Sequence, residues 1–196
     1  MTQLGPRFEQ ALRFAVEVHA GQKRKGTEIP YIAHLLGVCA LVLEDGGDED
    51  EAIAALLHDA GEDAGGRERV EEIRARFGDR VARIVEECSD TLETPKLPWR
   101  ERKEGYLARL EHASAEALRV SLADKLHNAR AIARDHGEIG QKVWERFNAD
   151  HDDVLWYHRS LADIFRRRSD SAMRVELARV VTDLGRLVRE RGAESP

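Results

Sequence analysis

Two histidines and two aspartates, widely separated along the chain, are the residues of this sequence best suited to chemistry. His34 stands alone, His58 and Asp59 are adjacent, and Asp124 follows much later. Each lies among apolar neighbours, as in the stretch 54–57 that precedes His58. Burying a carboxylate is costly unless it is paired or bound to a metal. We therefore expect these four side chains to meet in the folded chain.

Two imidazoles and two carboxylates form a mixed nitrogen and oxygen ligand set. Such a set suits an octahedral ion such as Mn²⁺, Fe²⁺ or Mg²⁺, with coordination positions left for water and a substrate oxygen. Imidazole ligands weigh against Mg²⁺, which prefers oxygen. The sequence therefore predicts one divalent cation and leaves its identity open.

Two acidic residues, Glu62 and Asp63, follow the His-Asp pair. If one helix continues through this stretch, Glu62 lies one turn after His58, and Asp63 lies one turn after Asp59. In that position Glu62 could orient or deprotonate an attacking water, or protonate a leaving oxygen. The pattern therefore predicts acid–base chemistry beside the cation.

The elements that must position these residues are predicted to be helices, because apolar residues recur at spacings of three and four and no window alternates like a strand. Pro30 is a suitable first helical residue, and Asp48 with Glu51 forms the pattern of a capping box. The predicted helices cover residues 8–19, 30–42, 49–63, 68–77, 79–89, 99–112, 115–135, 138–168 and 169–190.

This arrangement predicts an all-α fold with one helical domain at 1–168 and an additional C-terminal helix and tail at 169–196. The last helix carries an apolar stripe at Val175, Val181, Leu184 and Val188. The stripe could pack on the domain or on a second copy in a homo-oligomer, and the sequence leaves both open.

Composition excludes several classes of protein. The 196 residues include 31 Lys and Arg against 37 Asp and Glu, a net charge of −6, which argues against binding polymeric nucleic acid by bulk charge. With 42% hydrophobic residues the chain can form a core, yet no stretch approaches the roughly 20 apolar residues of a membrane span. Cys39 and Cys88 lack metal-type spacing, and the first residues do not resemble a signal peptide. We expect a reduced, cytoplasmic protein.

The residues His34, His58-Asp59 and Asp124 resemble the H…HD…D signature of the HD superfamily of metal-dependent phosphohydrolases. The segments 19–26, 30–34, 55–63, 76–79 and 120–128 are similar, in order, to the motifs of the RelA/SpoT hydrolase domain. The loop 94–103 is similar to that of the stand-alone small alarmone hydrolases. The resemblance covers about residues 5 to 135.

This resemblance implies a manganese-dependent HD-type hydrolase that removes pyrophosphate from the 3′ position of guanosine tetra- or pentaphosphate. By motif, the metal would be held by His34, His58, Asp59 and Asp124. Glu62 and Asp63 would activate the water. The nucleotide would be contacted by Arg24, Lys25, Lys96 and Asn128.

The charge distribution agrees with a polyanionic substrate, because an enzyme of net charge −6 needs a local positive site to hold it. The run 23–25 supplies three cations in a glycine-flanked loop just before His34, and Lys96 lies in a loop bounded by prolines. Asn128 follows Asp124 by one helical turn. These positions predict a phosphate site next to the cation.

Two alternatives remain open at this point. Leu35 stands where the family usually has proline, and Gly61 interrupts the helical motif around the His-Asp pair. These departures allow an HD phosphohydrolase that acts on another nucleotide or phosphate ester. A third interpretation is a metal-stabilised helical binding module without turnover.

Overall fold

The computed structural model describes residues 2–63, 65–93 and 95–190, with every side chain in them except those of Asp63 and Glu190. Within these ranges the chain forms helices and no β-strand; one isolated bridge pairs Lys23 with Pro30. The helices are α1 (Pro6–Val18), α2 (Ile32–Glu44), α3 (Glu49–Leu57), α4 (Ala60–Asp63), α5 (Gly66–Phe77), α6 (Asp79–Cys88), α7 (Trp99–Leu110), α8 (Ala115–Ile139), a 3₁₀ helix (Gly140–Arg146), α9 (His151–Arg168) and α10 (Met173–Glu190). The predicted all-α class is confirmed.

Helix α3 lies at the centre of the fold. The run 52–57 is fully buried, and α3 contacts α1, α2, α6 and α8. A helix that is apolar on every side is stable only when other helices surround it. Because α3 is buried and ends at Leu57, His58 and Asp59, which follow directly, lie close to the interior of the fold.

The start of α3 agrees with the sequence, but its end does not. The Asp48 side chain accepts from the Glu51 N–H at 3.0 Å, and the Glu51 carboxylate accepts from the Asp48 N–H at 2.9 Å, so the capping box is formed. The predicted continuation to Asp63 is wrong. The His58 Nδ1 atom bonds the carbonyl of Ala55 at 2.8 Å, and the chain turns at 58–59 before α4 begins.

The loop between α1 and α2 is a tight hairpin. The Arg24 N–H donates to the Ile29 carbonyl at 2.8 Å, and the Tyr31 N–H donates to the Gln22 carbonyl at 2.9 Å. This pairing occupies Pro30, so α2 begins at Ile32 rather than at the proline as predicted. The hairpin holds Arg24 next to the beginning of α2, where His34 lies.

The prediction of one long helix over 138–168 is wrong. Helix α8 extends to Ile139 and ends at Gly140, whose φ of 59° favours glycine. A 3₁₀ helix follows, and α9 begins anew at His151 because the Asp150 carboxylate accepts from the Asp153 N–H at 2.9 Å. This interruption turns α9 back, so that it packs against α7 and α8.

The last helix, α10, packs on its own chain. It contacts α8 and α9, and Leu177, Val181 and Leu184 are buried there, whereas Val175 is exposed. It begins at Met173, not at Ser169, because the Ser171 hydroxyl accepts from the Met173 N–H at 3.0 Å. The division into 1–168 and 169–196 stays a prediction, and the tail 191–196 lies outside the described residues.

None of the helices in the described ranges combines the length and the apolar composition that a membrane crossing demands.

Candidate active site

The four predicted donors meet at one place. The Nε2 atom of His34 lies 3.2 Å from the Asp124 Oδ1 atom and 3.6 Å from the Asp59 Oδ2 atom. The Nε2 atom of His58 lies 3.0 Å from Asp59 Oδ2 and 3.6 Å from Asp124 Oδ1. Three helices bring them there: His34 lies in the first turn of α2, His58 and Asp59 lie between α3 and α4, and Asp124 lies in α8.

The donor atoms fit a metal ion. Both Nε2 atoms are buried without a hydrogen bond, although carboxylate oxygens are close. The Nδ1 atom of His58 faces the Ala55 carbonyl, which only accepts, so in the neutral ring Nδ1 carries the hydrogen and the lone pair is on Nε2. His34, His58 and Asp59 offer ligand atoms within 4.8 Å of one another, which is suitable for one cation.

The electrostatics of the cluster favour a cation. Burial raises the pKa of Asp59, but the charge of the adjacent His58 and the closeness of the His34 and His58 rings outweigh burial and hold the pKa well below its usual value. Burial likewise raises the pKa of Asp124, and Lys125 and the two imidazoles lower it well below its usual value. Burial lowers the pKa of His58, yet Asp59 and Asp124 raise it well above normal. Both carboxylates therefore stay ionised.

Hydrogen bonds fix the orientation of the two carboxylates. The Tyr31 hydroxyl donates to Asp59 Oδ2 at 2.6 Å. The Lys125 ammonium donates to Asp124 Oδ2 at 2.5 Å, and the Asn128 amide donates to Asp124 Oδ1 at 2.6 Å. No role of Tyr31 or Lys125 is predicted from the sequence. Their proximity in the chain to His34 and Asp124 was the available signal.

Glu62 lies at the end of α4 in a partly buried position. Its Oε2 atom accepts from the Asp90 N–H at 3.2 Å, and its Oε1 atom lies 3.4 Å from the Lys96 Nζ atom. Burial, together with Asp59 and Asp90, raises the pKa of Glu62. Lys96 therefore contacts Glu62. The side chain of Asp63 lies outside the described residues.

Gly61 packs closely against apolar side chains next to Glu62. A Cβ atom there would lie 2.8 Å from Leu92 Cδ2 and 3.1 Å from Val70 Cγ2, so the α4 turn packs closely against its neighbours. The other departure, Leu35, is fully buried in the core. Both therefore serve packing, and neither removes a donor from the cluster.

A cavity of about 360 Å³ lies next to the cluster, between α8, α9 and the hairpin, and none of the four donors belongs to its described lining. Tyr31, Lys125 and Asn128, which bond the carboxylates, belong to its wall. The described lining includes one acid, Asp135, and several aromatic rings. The cations that line it are Arg24, Lys25, Lys103, Lys125, Arg134 and Arg146. A cationic, partly aromatic cavity in an acidic protein is suited to a polyanionic, ring-containing ligand.

Two of the predicted phosphate contacts have neutral partners. The Arg24 Nη2 atom donates to Asn128 Oδ1 at 2.7 Å, and the Lys25 Nζ atom donates to Asn148 Oδ1 at 2.8 Å. Neither of these two hydrogen bonds therefore goes to a carboxylate, and both side chains line the cavity. Lys23 instead pairs with Glu28 in a more exposed position.

Comparisons with known proteins agree with this geometry. The family model for the HD domain matches residues 11–154. The MESH1 guanosine-3′,5′-bis(diphosphate) 3′-pyrophosphohydrolase of Xenopus tropicalis is 43% identical over 143 residues, which cover 70% of this chain and 77% of that protein. The human MESH1 enzyme is 40% identical over 128 residues, covering 64% of this chain and 69% of that protein.

A solved structure agrees over a longer stretch. It belongs to a metazoan orthologue of SpoT that hydrolyses ppGpp, and it superposes with a TM-score of 0.76 at 25% identity. It covers 94% of this chain and 99% of that one. The resemblance predicted from the motifs is confirmed. On the family model, the MESH1 relatives and this shared architecture, the chain belongs to the HD domain family and is a homologue of the MESH1 and SpoT hydrolases.

Proposed function

We propose that this chain hydrolyses guanosine 3′,5′-bis(diphosphate) to GDP and pyrophosphate, with Mn²⁺ as its cation. The observation that carries the proposal is a four-donor cluster whose carboxylates are bonded by Tyr31, Lys125 and Asn128, three residues that line a neighbouring cationic cavity. The MESH1 relatives, which are named for this reaction, support the choice of substrate. A pentaphosphate with the same 3′ group is a second substrate of the proposed enzyme.

In this proposal His34, His58, Asp59 and Asp124 hold the cation. When bound, a divalent cation polarises a phosphoryl group and lowers the pKa of water. The chain fixes the donors beforehand: Ala55 sets the His58 ring, while Tyr31, Lys125 and Asn128 set the carboxylates. Such partners orient ligands and strengthen metal binding.

The proposed phosphate contacts are Arg24 and Lys25, because their charges line the cavity and their hydrogen bonds go to amides. An incoming phosphate offers charged acceptors, which form stronger hydrogen bonds than an amide oxygen does. Asn128 then retains its bond to Asp124, and its amide oxygen is left to accept from a hydroxyl or N–H group of the nucleotide. We also assign Lys96 to the substrate, at the end of the site marked by Glu62.

Glu62 and Asp63 are the proposed proton-transfer groups. A bond forms between the water oxygen and the phosphorus attached to the 3′ oxygen, and the bond from that phosphorus to the 3′ oxygen breaks. The Glu62 carboxylate takes the proton of the attacking water, and a proton returns to the leaving ribose oxygen. The raised pKa of Glu62 suits a group that both accepts and returns protons near neutral pH.

The test is to measure pyrophosphate release from guanosine 3′,5′-bis(diphosphate) with and without Mn²⁺. We expect release that needs the cation and falls at least 100-fold in Glu62→Gln, with Mn²⁺ still bound by the variant. Ordinary nucleoside monophosphates and triphosphates serve as competing substrates. A clear preference for one of these would contradict the proposed substrate, and full activity in Glu62→Gln would contradict the proposed role of Glu62.

We further propose that the enzyme acts in the cytoplasm. Cys39 and Cys88 are both buried free thiols, which agrees with a reducing compartment. Fractionation of cells expressing a tagged chain tests this location, and recovery with extracytoplasmic fractions would contradict it.

A further inference from the structure

The second ring nitrogen of His34 makes a contact unlike that of His58. The Nδ1 atom of His34 lies 2.9 Å from the Nδ1 atom of His127, and the two ring centroids are 4.8 Å apart. His127 belongs to α8, three residues after Asp124. The contact therefore joins two of the helices that form the cluster.

A hydrogen bond between two ring nitrogens needs one N–H and one lone pair, so the tautomers of the two rings are linked. If His34 donates from Nδ1, its Nε2 atom presents a lone pair to the cluster. If His34 accepts at Nδ1, its Nε2 atom carries the hydrogen and cannot bind a cation. At His58 the Ala55 carbonyl allows only the first arrangement, whereas an imidazole partner allows both.

Gly37 explains how the ring of His127 reaches this position. A Cβ atom at Gly37 would lie 2.4 Å from His127 Nε2 and 2.5 Å from His127 Cδ2, closer than real contacts allow. Gly37 lies inside α2 and is not among the described glycines with positive φ. A glycine inside a helix is destabilising relative to alanine. It is therefore needed here for space, since its backbone conformation suits any residue.

We propose that His127 is a positioning residue that accepts the Nδ1 hydrogen of His34 and so directs the His34 Nε2 lone pair into the cluster, and that Gly37 provides the space for it. His127 is then the tautomer with its hydrogen on Nε2. The inference rests on the proposed metal site and is independent of which nucleotide is hydrolysed.

Three variants separate the acceptor from the bulk of the ring. His127→Leu removes the acceptor, His127→Asn keeps an oxygen at the place of Nδ1, and Gly37→Ala displaces the ring. Gly137→Ala is the matched control, because this glycine also lies in a helix and a Cβ there meets nothing within 4 Å. Thermal melts followed by circular dichroism establish that each variant folds.

The first readout is Mn²⁺ affinity, obtained from the paramagnetic resonance signal of free Mn²⁺ without any turnover. We expect affinity to fall about 10- to 100-fold in His127→Leu and in Gly37→Ala. It should stay close to wild type in His127→Asn and Gly137→Ala. Should wild type fail to bind Mn²⁺, the proposed function fails; should wild type and His127→Leu bind equally well, this inference alone fails.

The second readout is the tautomer of His34 in metal-free, ¹⁵N-labelled protein at pH 8. We expect the hydrogen on Nδ1 in wild type and in His127→Asn, and a shift toward Nε2 in His127→Leu. A loss of affinity without a change of tautomer would mean that His127 acts by packing alone, and would overturn the proposal. The proposal would also be overturned if His127→Asn bound Mn²⁺ as weakly as His127→Leu.

Discussion

Glu62 is the residue whose surroundings bear most directly on the pH dependence of the enzyme. Burial and the carboxylates of Asp59 and Asp90 raise its pKa, while Lys96 and Lys103 act in the opposite direction. A carboxylate that accepts a proton must be ionised, so turnover is lost as the pH falls through this raised pKa. The acid limb of the rate profile should therefore lie above 4.5, the usual value for glutamate.

Replacing Lys96 tests this reasoning. Lys96→Met removes a positive charge whose Nζ atom lies 3.4 Å from Glu62 Oε1, so the pKa of Glu62 should rise further. We expect the acid limb of kcat at saturating substrate to move to higher pH, and Lys96→Arg to restore it. An acid limb at the same pH in Lys96→Met would show that Glu62 does not control the rate.

At the residue scale the sequence predicts which four side chains lie together but not the groups that bond them; that they bind a cation stays a prediction. His34, His58, Asp59 and Asp124 were found because buried imidazoles and carboxylates are rare without a partner. Tyr31 and His127 were not assigned roles, because their partners are distant in the chain and no spacing rule links them. Lys96 was assigned to the nucleotide, and its contact with Glu62 became visible only in three dimensions.

At the scale of elements, the end of each helix is decided by a few local bonds. Asp48 illustrates this, because it caps α3, whose far end positions His58 and Asp59. Burial raises its pKa, but the bonds from the Glu51 N–H and from Arg80 outweigh burial and lower it. The stabilisation is therefore present above the usual value of 3.8 and is lost as the pH falls through the lower, folded-state value.

We expect Asp48→Ala to lower the free energy of unfolding by about 1 kcal/mol at pH 7, since it removes an N-cap. Asp48→Asn is the control, because asparagine caps helices without a charge. The free energy of unfolding of this variant should therefore lack the part of the pH dependence that Asp48 contributes. Urea denaturation between pH 3 and 7 measures both. If the difference in free energy of unfolding between wild type and Asp48→Asn were as large at pH 3 as at pH 7, the proposed role of the Asp48 charge would be contradicted.

Element boundaries were predictable where a side chain caps a helix near its sequence signal, as at Asp48. They were missed at His58, where the ring of the functional residue itself bonds the preceding carbonyl. They were also missed around Gly140, because apolar periodicity continues through the 3₁₀ helix and hides the break. Helix α10 begins at Met173, whose N–H donates to the hydroxyl of Ser171 rather than to that of Ser169, and periodicity does not distinguish these two serines.

At the scale of the whole molecule, α10 tests whether the chain forms its own core. Leu184 is 1% exposed, so Leu184→Ala should lower the free energy of unfolding by about 2–5 kcal/mol. Val175 on the same helix is 66% exposed, so Val175→Ala should change stability by about 0.5 kcal/mol at most. The check is to measure the melting temperatures of wild type and Leu184→Ala over a wide range of protein concentration. If the difference between the two depended on concentration, packing of α10 within one chain would be contradicted.

Removal of the cation should affect the stability of the entire fold, because the cluster joins α2, α3 and α8. Mn²⁺ at 100 times its Kd should raise the free energy of unfolding by about 2.7 kcal/mol if it binds only the folded chain. Chelation should therefore lower the melting temperature of wild type. His58→Ala, which lacks one donor, should melt at the same temperature with and without the chelator; an equal shift in both proteins would exclude this cluster.

One short chain of hydrogen bonds runs from Arg24 through the amide of Asn128 to Asp124. The Asn128 amide nitrogen donates to the Asp124 carboxylate, and its oxygen accepts from the Arg24 guanidinium. An anion that binds Arg24 in place of Asn128 would therefore remove one hydrogen-bond partner from the residue that orients Asp124. If Arg24 binds the nucleotide and Asp124 the cation, as proposed, we expect the two affinities to be energetically linked. By reciprocity, the factor by which a nucleotide alters the affinity for the cation equals the factor by which the cation alters the affinity for the nucleotide.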